Sequence, residues 1–342
     1  MISINARNVH DALAEGVNLI NEHGVLVPSR NGDALRVHSP VTTVYEHPEE
    51  RVLFWGGRDA NPFFHLFESI WMLAGRNDVE FVSTFVKRMS DFSDDGKTFN
   101  GAYGHRWRSW FGRDQLLLAI HELRSNPESR RVVVQMWDGG HDLGLDSKDL
   151  PCNTAVYFQK GTDGSLEMMV TNRSNDMILG AYGANAVHMS FLHEFVARSV
   201  GLNVGRYYQT SFNFHAYVED FERLAEKESW IDFKNPYEDA VEPVALFQTP
   251  EESNLFLRDC KRFCAFAHSG SEDLVEAEVE SDWFKNVAVP MLRVWKAWRT
   301  KNAPERFTEA LKLTNEIQAS DWRKAAVEWI ARRYERWDGG QP

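Results

Sequence analysis

The chain has 342 residues, 43% hydrophobic and 26% charged, with a formal net charge of −12. This length allows one large domain or two ordinary ones with a sizeable core. The negative charge disfavours a non-specific nucleic-acid binder. No apolar run approaches the roughly 20 residues of a membrane span. Three cysteines are too few for a disulfide framework.

The first part of the chain, residues 1–145, mixes helical patterns with short β runs. Its opening, "MISINARNVHDALAEGVNLINEHG", is polar and acidic rather than a signal peptide, which predicts a cytoplasmic protein. Helical spacing of Val9, Leu13, Val17 and Ile20 predicts a helix that Gly24 ends.

Two further elements follow before residue 145. The apolar stretch "NPFFHLFESIWMLAGRND" predicts a helix that begins near Asn61–Pro62 and ends at Gly75. The β-branched run in "SRRVVVQMWD" predicts a buried strand.

Residues 146–218 alternate strand and helix. "NTAVYFQKGTDGSLEMMVTNRS" predicts a hairpin that turns at Asp163-Gly164. "ANAVHMSFLHEFVARSVGL" predicts a long apolar helix closed by Gly201, and "GRYYQTSFNFHAYV" predicts one strand that leads into the next helix.

Four amphipathic patterns after residue 219 predict an all-helical tail. We therefore expect a domain over residues 1–220 and a helical extension over residues 221–342 that packs on it. Cys260 and Cys264 lie four residues apart on one helix face, where core packing is expected. No set of His, Cys and carboxylate residues has metal-ligand spacing, so no metal is expected.

The chemistry of the chain is concentrated in two short stretches. In "KDLPCNTAVYF", Cys152 follows Pro151 at the start of a strand, where a cysteine is either a nucleophile or a small hydrophobic residue. In "NRSNDMILGAYGAN", Arg173 and Ser174 offer a guanidinium and a hydroxyl that suit a phosphate.

Several motifs in one order resemble the thymidylate synthase family and its pyrimidine-nucleotide hydroxymethylase branch. They are "HLFESIWMLAGRND", "GAYGHRWRSW", "SRRVVVQMW", "LPCN", "NRSNDMILG", "GAN" and "FHAY", spread over roughly residues 5–220. The resemblance implies an α/β fold with a central mixed sheet flanked by helices, to which the helical C-terminal region is added.

The resemblance also implies roles for the matching residues. Cys152 resembles the nucleophile that adds to C6 of the pyrimidine, and Glu68 and Tyr103 resemble the groups that manage water and protons at C5. The implied binding residues are Arg30, Arg173 and Ser174 for the nucleotide phosphate, Arg130 and Arg131 for that phosphate from the partner subunit of a homodimer, Asn185 for the base, His215 and Tyr217 for the ribose, and Asp176 for the folate pterin.

The chemistry explains the residue types. A thiolate that adds to C6 makes C5 enolate-like, so that C5 attacks the one-carbon unit of 5,10-methylenetetrahydrofolate. Loss of the C5 proton and of tetrahydrofolate leaves an exocyclic methylene. Hydride then gives a methyl group, whereas water gives a hydroxymethyl group.

Three departures from the synthase pattern bear on the choice between water and hydride and on the identity of the base. Met89 and Phe92 stand where tryptophans would align, and the chain ends in "RRYERWDGGQP" instead of a short apolar closing segment. Both departures favour water. The base-reading loop "LGAYGAN" is altered, and Asn153 follows Cys152 where synthases commonly have histidine.

We therefore expect a homodimeric enzyme that hydroxymethylates C5 of a pyrimidine nucleoside monophosphate. The altered loop favours CMP or dCMP. Hydroxymethylation of dUMP and thymidylate synthesis remain alternatives, as does a non-catalytic nucleotide- or RNA-binding relative, for which the loss of Cys152 or Glu68 would be expected. The sequence leaves ribose versus deoxyribose open.

Overall fold

Two β-sheets organise the fold in the computed structural model, which describes residues 1–227, 234–267 and 272–337. The strands are β1 Ile2–Ala6, β2 Gly24–Val27, β3 Ala34–Val37, β4 Val41–Tyr45, β5 Val132–Gln135, β6 Asn153–Lys160, β7 Leu166–Asn172, β8 Asn175–Asp176, β9 Val204–Ser211 and β10 Phe214–Tyr217. The helices are α1 Val9–His23, α2 Pro62–Leu73, α3 Val79–Phe85, α4 Tyr103–His105, α5 Gln115–Ser125, α6 Asn185–Val200, α7 Val218–Lys227, α8 Ser253–Phe266, α9 Glu272–Glu278, α10 Val289–Thr300, α11 Glu305–Leu313 and α12 Ser320–Glu335.

The larger sheet has six strands in the order β1-β4-β9-β7-β6-β5 and mixes parallel and antiparallel pairs. The smaller sheet has the order β2-β3-β10-β8. Helices flank these sheets, and α6 is buried along nearly all its length. The predicted α/β fold, with a mixed sheet, flanking helices and helices at the C-terminal end, is confirmed.

Local signals set the ends of the helices, and those of α2 at Asn61 and of α6 at Gly201 lie where the sequence predicts them. The Asn8 side chain accepts hydrogen bonds from the amides of His10 and Asp11 and starts α1. Asn61 caps α2 in the same way, and Pro62 occupies its first turn. Gly201 closes α6 with φ of 77°, in the left-handed region that favours glycine.

Two strand predictions need correction. β5 is an edge strand whose burial alternates, so that Val133 is 39% exposed rather than buried. The single strand expected after Gly205 is in fact two: β9 belongs to the large sheet and β10 to the small one. The chain changes sheets between Ser211 and Phe214, a bend that a continuous β-prone pattern does not reveal.

The helices that follow residue 250 pack on the earlier part of the chain through aromatic side chains. Phe263 of α8 stacks on Phe67 of α2, and Trp295 and Trp329 of α10 and α12 contact Phe63 of α2. The core is therefore continuous across residue 220, and the proposed boundary there stays a prediction. Cys260 and Cys264 are fully buried, as expected.

Within the described ranges, no helix combines the length and apolar character needed to cross a bilayer. Nor do the residues of these ranges contain a group of three or more His, Cys, Asp or Glu side chains that could hold a metal ion.

Candidate active site

A cavity of about 1030 Å³ opens between the β2–β3 loop, α2, the start of α4, the segment before β6 and the first turn of α6. All but three of the residues to which the sequence assigned a role line it. Those that do are Arg30, Glu68, Tyr103, Cys152, Arg173, Ser174, Asn185, His215 and Tyr217.

Cys152 directly precedes β6 and is half-buried in the cavity wall. Its carbonyl accepts a hydrogen bond of 3.0 Å from the Arg173 amide, which fixes the backbone at this point. The Arg173 guanidinium donates to the carbonyls of Pro151 and Leu150 at 2.9 and 3.1 Å, and it lies 3.9 Å from the Cys152 Sγ atom. An anion at Sγ therefore has a fixed cation beside it.

Opposing effects act on the thiol. Burial raises the pKa of Cys152, whereas the charges of Arg173 and Arg30 lower it. Asp149 raises it further, and burial also raises the pKa of that carboxyl, to about 6. Burial therefore disfavours the thiolate, whereas the cations that would stabilise it are already in place.

Tyr103 lines the same cavity as Cys152 and interacts with it electrostatically. Its hydroxyl accepts a 3.3 Å hydrogen bond from the Asn153 amide, and burial raises its pKa. The neighbouring Gly104 is required by packing, since a Cβ atom there would clash with the Met72 carbonyl at the end of α2. The absence of a side chain thus lets the Tyr103 segment approach α2, which carries Glu68.

Glu68 does not stand alone on the cavity wall. Its Oε2 atom lies 3.1 Å from Nε2 of His188, on the first turn of α6, and both side chains are largely buried. His188 follows Asn185 by three residues and therefore shares its helix face. This histidine is not among the site residues predicted from the sequence, although its spacing from Asn185 was a usable signal.

Buried amides hold Asn185 in a defined orientation. Its Oδ1 atom accepts from Asn153 at 3.2 Å, and its Nδ2 atom donates to Asn175 at 3.0 Å. Asn153 in turn accepts from Asn172, and Asn175 donates to Gln209 at 3.1 Å. This chain of hydrogen-bonded amides was not predictable from the sequence, because its members come from four strands and a helix.

The other predicted binding residues divide into two groups. Arg30 reaches the cavity from the β2–β3 loop, near Arg173 and Ser174. On β10, the rings of His215 and Tyr217 are 5.3 Å apart, and the Tyr217 hydroxyl accepts from Asn31 at 3.2 Å. The cavity thus has basic groups near Cys152 and a histidine–tyrosine pair on a separate strand.

The three remaining predicted residues lie outside the cavity lining. The Asp176 carboxylate accepts hydrogen bonds from the amides of Ile178 and Leu179, and burial raises its pKa to about 6. Arg130 and Arg131 are exposed beside the edge strand β5, where Arg131 pairs with Glu122 at 3.1 Å. Their predicted roles toward folate and toward a partner subunit stay predictions.

The departures noted in the sequence lie at the cavity. Met89 and Phe92 both line it, and Phe92 is 48% exposed. Trp71 and Phe99, which the sequence analysis did not identify, add aromatic surface. No described residue of α12 is part of the lining, and residues 338–342 lie outside the described ranges.

Comparison with known proteins agrees with this geometry. The thymidylate synthase family model matches residues 15–237. A protein of Pseudomonas phage M6 named deoxyuridylate hydroxymethyltransferase is 49% identical over 339 residues, which cover 96% of this chain and 94% of that protein. Proteins of the same name from Bacillus phage SP01 and Delftia phage PhiW-14 are 37% and 31% identical, over 59% and 50% of this chain and 55% and 50% of their own lengths.

The family match spans well over half of the chain and includes every residue of the cavity lining. The resemblance seen in the motifs is thereby confirmed, and the chain belongs to the thymidylate synthase family of folate-dependent one-carbon transferases.

Proposed function

We propose that this enzyme converts deoxyuridine monophosphate (dUMP) to its 5-hydroxymethyl derivative, with methylenetetrahydrofolate as the one-carbon donor and water as the final nucleophile. The observation that carries the reaction type is the joint placement of Cys152, Arg173 and Glu68 in one cavity. The near full-length similarity to a protein named deoxyuridylate hydroxymethyltransferase supports water as the nucleophile and dUMP as the substrate.

The orientation of Asn185 supports uracil over cytosine. With Oδ1 accepting from Asn153 and Nδ2 donating to Asn175, one acceptor lone pair and one N–H remain for the base. Uracil offers N3–H and O4, which match that pair. Cytosine offers the opposite pair, N3 and the 4-amino group.

Cytosine would require a reversed Asn185 amide. Reversal would set the Asn185 amino group against that of Asn153 and its oxygen against that of Asn175, leaving buried polar groups unpaired. The altered base-reading loop "LGAYGAN" favoured CMP or dCMP on sequence alone, but the hydrogen bonds that Asn185 makes with Asn153 and Asn175 support the uracil alternative.

The residues of the cavity divide the chemistry between them. Cys152 adds to C6 while Arg173, 3.9 Å from Sγ, stabilises the thiolate. The C5 carbon then attacks the one-carbon unit of methylenetetrahydrofolate, and loss of the C5 proton and of tetrahydrofolate leaves an exocyclic methylene. Glu68 orients water at that carbon, and the product is released when the thiolate leaves C6.

Incubation of the enzyme with methylenetetrahydrofolate and dUMP, dCMP, CMP or UMP tests the proposal by mass spectrometry. We expect 5-hydroxymethyl-dUMP, formed from dUMP at a rate at least about tenfold above that of any cytidylate, the discrimination that a single buried unpaired polar group confers.

The folate product is the second readout. Water as the nucleophile leaves tetrahydrofolate, so the near-ultraviolet absorbance gained on forming dihydrofolate should be absent. A 5-methyl product with an equivalent of dihydrofolate would instead establish a thymidylate synthase. Faster turnover of dCMP or CMP would restore the cytosine assignment.

We further propose that the enzyme is a homodimer. Val133, Tyr157 and Met169 are each more than a third exposed and lie side by side across β5, β6 and β7. Such an apolar stripe on an open sheet suits a second copy of the same sheet. Arg130 and Arg131 precede β5 at the edge of this surface, from which they would reach the partner's phosphate site.

Mixing two inactive variants tests the shared site. A chain with Arg130→Ala and Arg131→Ala is combined with a Cys152→Ser chain under conditions that exchange subunits. If the arginines act in the partner's site, each mixed dimer has one intact site. Activity should return to roughly a quarter of the wild-type value, since half of the dimers are mixed and half of their sites are intact.

Arg173→Ala provides the matched control for this experiment. Arg173 lies beside Cys152 of its own chain, so a mixed dimer of Arg173→Ala and Cys152→Ser has one defect in each site and should stay inactive. Recovery in the control, or none with the Arg130 and Arg131 variant, would argue against sharing.

A further inference from the structure

Glu68 and His188 form a buried carboxylate–histidine pair in the cavity that contains Cys152. It joins α2 to α6 at the cavity wall, with Nε2 and Oε2 3.1 Å apart and side-chain exposures of 4% for His188 and 13% for Glu68. His188 and Glu68 both line the cavity that contains Cys152. The imidazole is therefore almost fully buried, yet it faces the space in which the base must react.

The Nε2 atom of the His188 ring is left without a hydrogen-bond partner by the described part of the chain. Despite its proximity to Glu68, Nε2 of His188 makes no hydrogen bond of proper geometry with any described residue. Its remaining ring contact is the edge-to-face packing with His65 at 6.3 Å. A buried nitrogen without a hydrogen bond destabilises the folded protein. A water molecule in the cavity that hydrogen-bonds to Nε2 would remove this penalty.

We propose that His188 binds the attacking water jointly with Glu68 and accepts its proton when the water adds to the exocyclic methylene. This inference rests on the proposed function, because only hydroxymethyl formation requires a water to be deprotonated at that carbon. Glu68 orients the water and the resulting imidazolium, and His188 is the base.

The step balances without any further reactant. The water oxygen forms a bond to the methylene carbon, and its proton moves to the imidazole. The electron pair of the exocyclic double bond moves through C5 toward the C4 carbonyl, then re-forms the C5–C6 double bond as the Cys152 thiolate leaves. One water is consumed, and the imidazolium passes its proton to the thiolate or to solvent.

An imidazole suits this step better than a second carboxylate would. A neutral imidazole can accept a proton through a ring nitrogen and later return it, and histidine is the side chain that enzymes use most often as a general base. Glu68 and His65 of α2 contact His188, and Tyr103, Asp149 and Cys152 line the same cavity.

Two substitutions remove the proposed base. His188→Gln keeps an amide N–H near the position of Nε2 but cannot accept a proton at neutral pH, whereas His188→Asn is too short to reach the water. His47→Asn, on an exposed histidine outside the cavity, is the matched control.

Three rates are measured for each enzyme with dUMP tritiated at C5: tritium release, hydroxymethyl product by mass spectrometry, and the adduct formed with an added thiol. Tritium release reports the steps before water attack. In both His188 variants we expect tritium release to persist while hydroxymethyl formation falls about 100-fold, at the low end of the range for losing a general base. The methylene intermediate should then be captured by the thiol.

The ratio of hydroxymethyl product to released tritium provides a readout that a structural role would not change, because a loss of folded enzyme lowers both rates together. That ratio is expected to be about 100-fold lower in His188→Gln than in the wild type. An unchanged ratio in both variants would overturn the inference. Failure of the wild type to form any hydroxymethyl product would instead refute the proposed function.

Discussion

Replacement of Cys152 by serine is expected to abolish turnover while nucleotide binding survives. An alkoxide is far harder to form than a thiolate at neutral pH, and no other described thiol lies in the cavity. The loss should be at least about 10⁴-fold, as for other enzymes that lose a nucleophile. Tritium release from C5 and binding of dUMP by calorimetry measure the two effects separately.

Cys260→Ala is the control, because Cys260 is fully buried in α8 and outside the cavity. That variant is expected to lower the melting temperature without loss of tritium release per folded molecule. Since burial raises the pKa of Cys152, wild-type tritium release should increase as the pH rises through that pKa. Substantial exchange at C5 in Cys152→Ser would show that the covalent step lies elsewhere.

The parts of this fold that the sequence predicted well are those set by near neighbours in the chain. α2 begins at Asn61, whose side chain satisfies a free amide of the first turn, and α1 ends where Gly24 follows it. The turn between β6 and β7 is placed by Gly164, whose φ of 86° disfavours other residues. Each signal is local, so periodicity and capping suffice to read it.

The features that escaped prediction depend on contacts between distant segments. His188 becomes a candidate catalytic residue only because α6 packs against α2 and places this histidine beside Glu68. Asn153 and Asn175 orient Asn185 across strands of both sheets. Motif resemblance identified Cys152 and Arg173 as site residues, but it carried no information on which hydrogen bonds hold the base-reading amide.

Glu68→Gln is expected to cause the second-largest loss of hydroxymethyl formation among the single substitutions. Glu68→Gln keeps the size of the side chain but removes the charge, so it can neither accept a proton nor stabilise an imidazolium on His188, 3.1 Å away. We expect hydroxymethyl formation to fall by about 10²–10⁴-fold, the range for losing a general acid or base. Mass spectrometry of the product measures this loss, and Glu22→Gln, on an exposed helix end, is the control.

The same variant reveals how the pair divides its work. If Glu68 manages protons at C5 as well as the attacking water, Glu68→Gln should slow tritium release too, whereas His188→Gln should spare it. Residues that act as one unit are not additive. The double variant is therefore expected to be no slower than Glu68→Gln alone, because the step assigned to His188 comes after the one that Glu68 already limits. Independent, multiplicative losses would mean that the two side chains, although in contact, serve separate functions.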